Sequence, residues 1–195
     1  MTRAPFTREA PDVRRQALVA AAEAVLAREG VAGTSVRTIC AEAGVSAGLL
    51  RHYFEGVDDL VAAAYEAVDQ RIDAALEAAV ASAGNDPRAR LSAYLAASFA
   101  SPVLDPDLLA AWIGFWGLVK TKPRIAAIHA TSYAAYRARL ETLLADCGVK
   151  DRRLAAIALT AMVDGLWLEL CLDPSTFGAA EAVRALETAA GAWLG

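Results

Sequence analysis

The stretch that most limits what this chain can become is VRTICAEAGVSAGLLRHYF, residues 36–54. Two short helix-forming runs flank the turn Gly44-Val45-Ser46. Glycine takes positive φ at no steric cost, so the backbone can turn sharply at Gly44. Ser46 is suited to cap the second run, and Ser35 or Thr34 the first. Ile39, Ala43, Val45, Leu50 and Tyr53 are apolar anchors for a helix crossing, and Cys40 is small enough to permit close approach. The second run is only about two turns long and would not hold as an isolated helix. These residues therefore predict a short helix presented outward on a helical scaffold.

The rest of the chain supplies that scaffold. Apolar residues recur at three- and four-residue steps within long stretches, and Gly and Pro cluster between them. Helices are predicted over 13–30, ending at Gly30, then 36–43 and 47–54, and then a long helix 58–83 with Val61, Tyr65, Val68, Ile72, Ala75 and Ala79 as its stripe. GNDP, 84–87, is a turn before a helix over 88–100. Asp105 as cap and Pro106 at the first position open a helix over 106–120. Further helices are predicted over 123–147, over 152–172 with Asp151 as cap, and over 179–194. The fold class is all-α, with nine helices: an N-terminal three-helix helix-turn-helix domain, 1–56, and a C-terminal helical bundle, 57–195.

Composition narrows the function. The chain is 195 residues long and 56% hydrophobic, enough for a sizeable core. No hydrophobic signal core opens the sequence and no segment reads as transmembrane, the apolar uncharged run 108–119 falling well short of about 20 residues, so a cytoplasmic protein without a membrane partner is expected. Cys40, Cys147 and Cys171 are too far apart for a metal motif and odd in number, so neither metal nor cofactor is expected. Residues 1–55 carry a net charge of +1 and the remainder −5. That asymmetry permits nucleic-acid contact by the first part. Neither His52 nor His129 belongs to a Ser-His-Asp order or an HExxH motif, and no P-loop or GxGxxG occurs, so an enzyme is not expected.

A short helix held outward can enter the DNA major groove with its N-terminal end. Residues 13–60 resemble the DNA-binding domain of TetR-family transcriptional regulators. The matching residues are Thr34-Ser35-Val36 leading into Ile39, then Ala43-Gly44-Val45-Ser46, Gly48, Leu50, His52-Tyr53-Phe54 and Leu60. With AWIGFW (111–116) and DGLWL (164–168), GLLRHYF is most similar to the BetI-type branch, which includes repressors of choline and betaine metabolism. The resemblance implies a recognition helix over 47–53, an operator bound by a homodimer, and an effector-binding and dimerisation domain after it. The chain departs from the family at Ala47, where many members carry Lys, and at Arg51, where many carry Tyr. It also has Val57 where a phosphate-touching Lys usually begins the fourth helix, followed by Asp58 and Asp59. Arg37, Arg51, Arg14, Arg15 and an N-terminal arm with Arg3 and Arg8 are the candidates to replace that cation.

Each candidate DNA-binding residue has a physical role. Thr34, Ser35 and Ser46 place hydroxyls at helix N-termini, either as caps alone or as caps that also meet phosphates. Arg37 suits a phosphate contact or a solvated surface position. Ala47, Gly48 and Leu49 are small or apolar and can approach a thymine methyl, and Arg51 can grip guanine or a phosphate. His52 and Tyr53 can hydrogen-bond backbone oxygens, though Tyr53 suits the core equally.

In the bundle, Trp112, Phe115 and Trp116 lie at three- and four-residue steps, and Tyr133, Tyr136 and Trp167 come from other helices. With Asp164 they are the candidate effector site, although the aromatics serve a plain core as well. Aromatic faces attract quaternary ammonium ions by roughly 0.5–2 kcal/mol per ring. Two stripes rich in small residues, Ala155, Leu159, Met162, Leu166 and Ala182, Val183, Leu186, Ala190, are expected to form a four-helix dimer interface. A small-molecule effector beside helix 106–120 is expected to shift helix 58–83 and release a palindromic operator. The other reading is a helical small-molecule-binding protein with degenerate DNA binding, motivated by Val57 and its two acidic neighbours.

Overall fold

A computed structural model describes residues 11–194, so Arg3 and Arg8 lie outside the described residues. Among the described residues there are nine α-helices and no strand. They are α1 (Pro11–Gly33), α2 (Val36–Ala43), α3 (Ala47–Tyr53), α4 (Val57–Ser82) and α5 (Pro87–Ala97). They continue with α6 (Pro106–Val119), α7 (Pro123–Asp146), α8 (Arg152–Leu172) and α9 (Ala179–Leu194).

The helix ends follow from side-chain chemistry. Ser35 accepts from the Thr38 backbone N–H at 3.2 Å, and the Thr38 hydroxyl accepts from the Ser35 N–H at 2.9 Å, a reciprocal capping box. Thr34 does not cap α2; its hydroxyl donates back to the Gly30 carbonyl at 2.8 Å. Ser46 caps α3 through the Leu49 N–H, Asp86 caps α5 through Ala89, and Asp105 caps α6 through Asp107 and Leu108. Gly30 interrupts the helical dihedrals at φ 66° as the sequence predicts, but one further turn continues to Gly33. Asp151 makes no capping bond to α8, so that expectation is corrected.

The core is continuous between the head and the bundle. Helix α1 packs along α6, and α4, about 39 Å long by its rise, runs from the head into the bundle against α5 and α7. Gly114 sets the approach of α6 to α1: a Cβ there would lie 2.8 Å from Leu26 Cγ, and Leu26 is buried. Gly114→Ala gains about 1 kcal/mol of helix propensity. The overpacking costs roughly 1–3 kcal/mol. Net destabilisation in urea is therefore expected; a stabilised variant would show that α1 and α6 are not closely packed.

Helix α8 alone among the described residues is long and apolar enough to cross a membrane by length and composition. In the fold α8 packs against α7 and α9.

Candidate nucleic-acid interface and effector cavity

The helix-turn-helix is anchored from inside. Ile39, Cys40, Leu50 and Phe54 are buried, and Ala43, Val45 and Tyr53 pack partly against them. Gly44 holds the left-handed conformation at φ 64° that the turn requires. The outer surface then consists of exposed Ser46, Ala47, Gly48, Arg51 and His52, with Leu49 partly covered. Thr34 and Ser35 are partly buried by their capping bonds. A Cβ on Gly48 would meet only the Ser46 hydroxyl, 3.8 Å away, so this face is open to a close approach.

Cations divide into engaged and unengaged groups. Arg28 is spent on Glu29 and Glu42, and Arg15 sits 5.0 Å over the Phe54 ring. Exposed Arg37 and Arg51 make no ion pair or hydrogen bond among the described residues. Asp58 and Asp59, which stand beside the missing family lysine, are both engaged. Lys122 donates to Asp58 at 2.7 Å, and Arg124 pairs with Asp59. The two acids are thus neutralised by cations from the α6–α7 junction and tie the first turn of α4 to it.

In the bundle, α4, α6, α7 and α8 enclose a small cavity. Trp112, Tyr133, Tyr136, Asp164 and Trp167 line it, so five of the seven predicted effector residues come together. Phe115 and Trp116 lie outside this lining. Phe115 stacks on Tyr65 with centroids 4.5 Å apart, and the Trp116 indole donates to the Tyr133 hydroxyl at 3.0 Å. Tyr133 in turn donates to Asp164 at 3.0 Å. Trp167 stands edge-on to Trp112 at 6.0 Å and is held by its indole N–H on the Ser98 carbonyl. The Trp112 indole N–H is buried without a hydrogen-bond partner.

Burial pushes the Asp164 carboxyl up to about 6, against the opposing Tyr133 hydrogen bond and the Arg137 charge. Burial also raises Asp69, and the Ser132 hydroxyl beside it acts the other way. Tyr133 is raised, first by burial and then by Asp164. His129, whose ring lies 4.2 Å from that of Tyr133, is lowered by burial and by Arg137.

The small-residue stripes fall elsewhere. Ala155, Leu159, Ala182, Leu186 and Ala190 are buried within the protomer, where α8 and α9 pack together. Met162, Leu166 and Val183 are partly buried at the margin. The exposed apolar side of α8 is a different one: Leu154, Ile157, Leu168 and Leu172, with Ala161 and Gly165 between them.

Two family models match the chain. "Bacterial regulatory proteins, tetR family" covers residues 18–64, and "BetI-type transcriptional repressor, C-terminal" covers residues 87–195. The chain belongs to the TetR family, BetI type. It is similar to the HTH-type transcriptional regulator BetI of Stenotrophomonas maltophilia, 32% identical over 180 residues and 88% of each chain. BetI 2 of Chromohalobacter salexigens is also 32% identical, over 87% of this chain and 83% of the relative. A transcriptional regulator from Pseudomonas aeruginosa PAO1 shares the fold with a TM-score of 0.88 and 44% identity, over 98% of this chain and 95% of that one. A regulator from Saccharomonospora viridis, solved in complex with choline, has a TM-score of 0.77 at 20% identity, over 91% and 95%. This TetR-family protein is therefore a DNA-binding transcriptional regulator, a non-enzyme kind of protein.

Sequence reasoning missed part of its cavity. Asp69, Ile72, Ser132, Thr160 and Val163 line it as well. Asp69 carried a readable signal, because it lies four residues after Tyr65 and three before Ile72 on the inward stripe of α4.

Proposed function

We propose that this regulator is a homodimeric repressor that binds a palindromic operator and leaves it when a small organic cation fills the bundle cavity. Residues 1–56 form its reading head and 57–195 its effector and dimerisation part. The observation that carries the effector half is the pairing of Asp164 and Asp69 with aromatic Trp112, Tyr133, Tyr136 and Trp167 around one cavity. Two carboxylates and four rings suit a desolvated cation. The choline held by the similar S. viridis fold agrees with that chemistry. The unpartnered Trp112 N–H suits an oxygen on the same ligand.

The reading head uses Thr34, Ser35, Arg37 and Ser46 for phosphates, and Ala47, Gly48, Leu49 and Arg51 for base edges. His52 and Tyr53 touch the sugar–phosphate backbone. The exposed stripe Leu154, Ile157, Ala161, Gly165, Leu168 and Leu172 meets its copy across a two-fold axis. This replaces the inward stripes as the dimer surface. Two recognition helices about 34–36 Å apart then match successive major grooves.

Coupling runs along α4. Its middle lines the cavity at Asp69 and Ile72, and its first turn is tied to α7 through Asp58–Lys122 and Asp59–Arg124. A ligand that separates α4 from α7 changes the tilt of the head. A bias of a few kcal/mol between the two spacings suffices to release DNA. The alternative, a ligand-binding protein with degenerate DNA binding, keeps only Val57 as its motive, since Asp58 and Asp59 are paired with cations and Arg37 and Arg51 are unengaged.

A mobility-shift titration on a two-fold-symmetric operator, repeated with a small quaternary ammonium ion, tests the reading. Release by the cation but not by a neutral isostere is expected; equal release by both would sink the cation assignment. The pH dependence has a definite sign. Asp164 is ionised above about 6 and neutral below it. Tyr133 stays neutral throughout this range, Asp69 loses charge on acidification, and His129 gains it. Cation affinity is therefore expected to fall as pH drops from 7.5 to 5, and Asp164→Asn flattens that profile. Tryptophan fluorescence titrations at several pH values read it. For stability the sign is opposite: the raised Asp164 value favours the fold below the ordinary carboxylate range and is lost as pH rises through about 6.

A further inference from the structure

The cavity among Trp112, Tyr133 and Asp164 is about 40 Å³, room for a few waters at roughly 10–15 Å³ each. Pockets that hold small ligands are about 300–1,000 Å³. A ligand must therefore open the bundle, and residues shared between the cavity and the surface depressions mark the candidate routes.

Two surface depressions abut the cavity. A cleft of about 460 Å³ lies between α1, α4 and the start of α6 and shares only Ile72 with it. Ile72 and Leu108 are buried there, and the cleft also contains the paired Glu23 and Arg71. The second depression is a groove of about 410 Å³ between α4 and α7. It shares Asp69 and Ser132 with the cavity, one residue from each side of the seam. Both are short polar side chains, only partly buried, and each lines the groove and the cavity at once. Both depressions carry acids, Glu23, Asp105 and Asp107 in the cleft and Glu66 and Asp69 in the groove, but only in the groove does an acid, Asp69, also line the cavity.

We propose that the α4–α7 seam at Asp69 and Ser132 is the portal to the effector cavity, with Asp69 selecting small cations as they pass. The portal rests on the effector reading above for the nature of its cargo, but its location is testable without any effector. Passage wedges α4 away from α7 on the seam that carries the Arg124 pairs, so admission of the ligand and movement of the head share one displacement.

Thr160 lines the cavity, is buried, and is absent from both surface depressions. In a Thr160→Cys variant, labelling of the new thiol by a trimethylammonium-bearing methanethiosulfonate and by its neutral methyl analogue is followed at pH 8 by peptide-resolved mass spectrometry. Peptide resolution separates this thiol from Cys40, Cys147 and Cys171. Adding Ser132→Leu is expected to slow both reagents at least tenfold, and the smaller Ser132→Val to slow them less. Adding Asp69→Asn slows the cationic reagent several-fold more than the neutral one. Ala24→Leu, which fills the other cleft, leaves both rates unchanged. Labelling unaffected by Ser132→Leu in a folded variant, labelling blocked by Ala24→Leu, or no labelling at all would overturn the portal. If Ser132→Leu blocks labelling while quaternary ammonium ions never release operator, the portal stands and the effector reading alone fails.

Discussion

Replacing Arg51 with alanine is expected to weaken operator binding by about 1–3 kcal/mol per half-site while leaving the melting temperature unchanged. The two halves of that expectation have one cause. Arg51 is exposed on α3 and engages no partner among the described residues, so the fold loses nothing with it. Surface substitutions of this kind typically stay within about 0.5 kcal/mol. On DNA the same lack of partners leaves five guanidinium donors for guanine or phosphate. Binding measured across salt and across operator variants separates the two contacts. A guanine contact relaxes preference at one position in each half-site with little change in salt slope. A phosphate contact weakens all sequences alike and lowers the slope by about one per half-site. Unchanged affinity would remove Arg51 from the interface.

Ile157→Glu is expected to have the larger effect still. Ile157 is 41% exposed near the N-terminal end of the α8 stripe, beside Leu154, with Leu168 and Leu172 toward the other end. Exposed apolar side chains scattered singly need no explanation, but a continuous stripe marks a contact surface. A carboxylate there would be buried against the apolar stripe of the second copy, at the cost of an unpaired buried charge. The variant is expected to sediment as a folded monomer. With only one half-site engaged at a time, the apparent operator affinity drops by about 10²–10⁴. Leu186→Ala provides the contrast. Leu186 is fully buried within the protomer, so its truncation costs roughly 2–5 kcal/mol of stability without turning dimer into monomer. A dimeric Ile157→Glu protein would place the interface elsewhere.

Much of the architecture was legible because helix ends are local. Ser35, Ser46 and Asp105 cap where their spacing predicts, and Gly44 turns where glycine is needed. Asp151 shows the limit: a residue of the right type in the right place, with a backbone conformation that leaves its side chain unbonded. The orientation of whole stripes was less legible. Helical periodicity shows that Ala155, Leu159, Ala182 and Leu186 share inward faces, but not whether inward means toward the same chain or a second copy. Here α8 and α9 use their small residues on each other. The aromatics show the same ambiguity at closer range. Trp112 and Phe115 lie three residues apart on one face, yet Trp112 reaches the cavity and Phe115 stacks on Tyr65. Asp69 is legible from its place on the α4 stripe, whereas Ser132, a single polar side chain on a helix, reads as a solvated one until its neighbours are placed.

The central claim is that a paired reading head is governed by the cavity behind it. Its most direct test is selection of fragmented genomic DNA on the purified, effector-free protein at near-physiological salt, with and without a small quaternary ammonium ion. The account predicts enrichment of a two-fold-symmetric site whose half-sites lie one helical turn apart, and its loss when the cation is added. A folded, dimeric and ligand-free protein that retains no sequence above background, or one whose enriched site is indifferent to the cation, would contradict it.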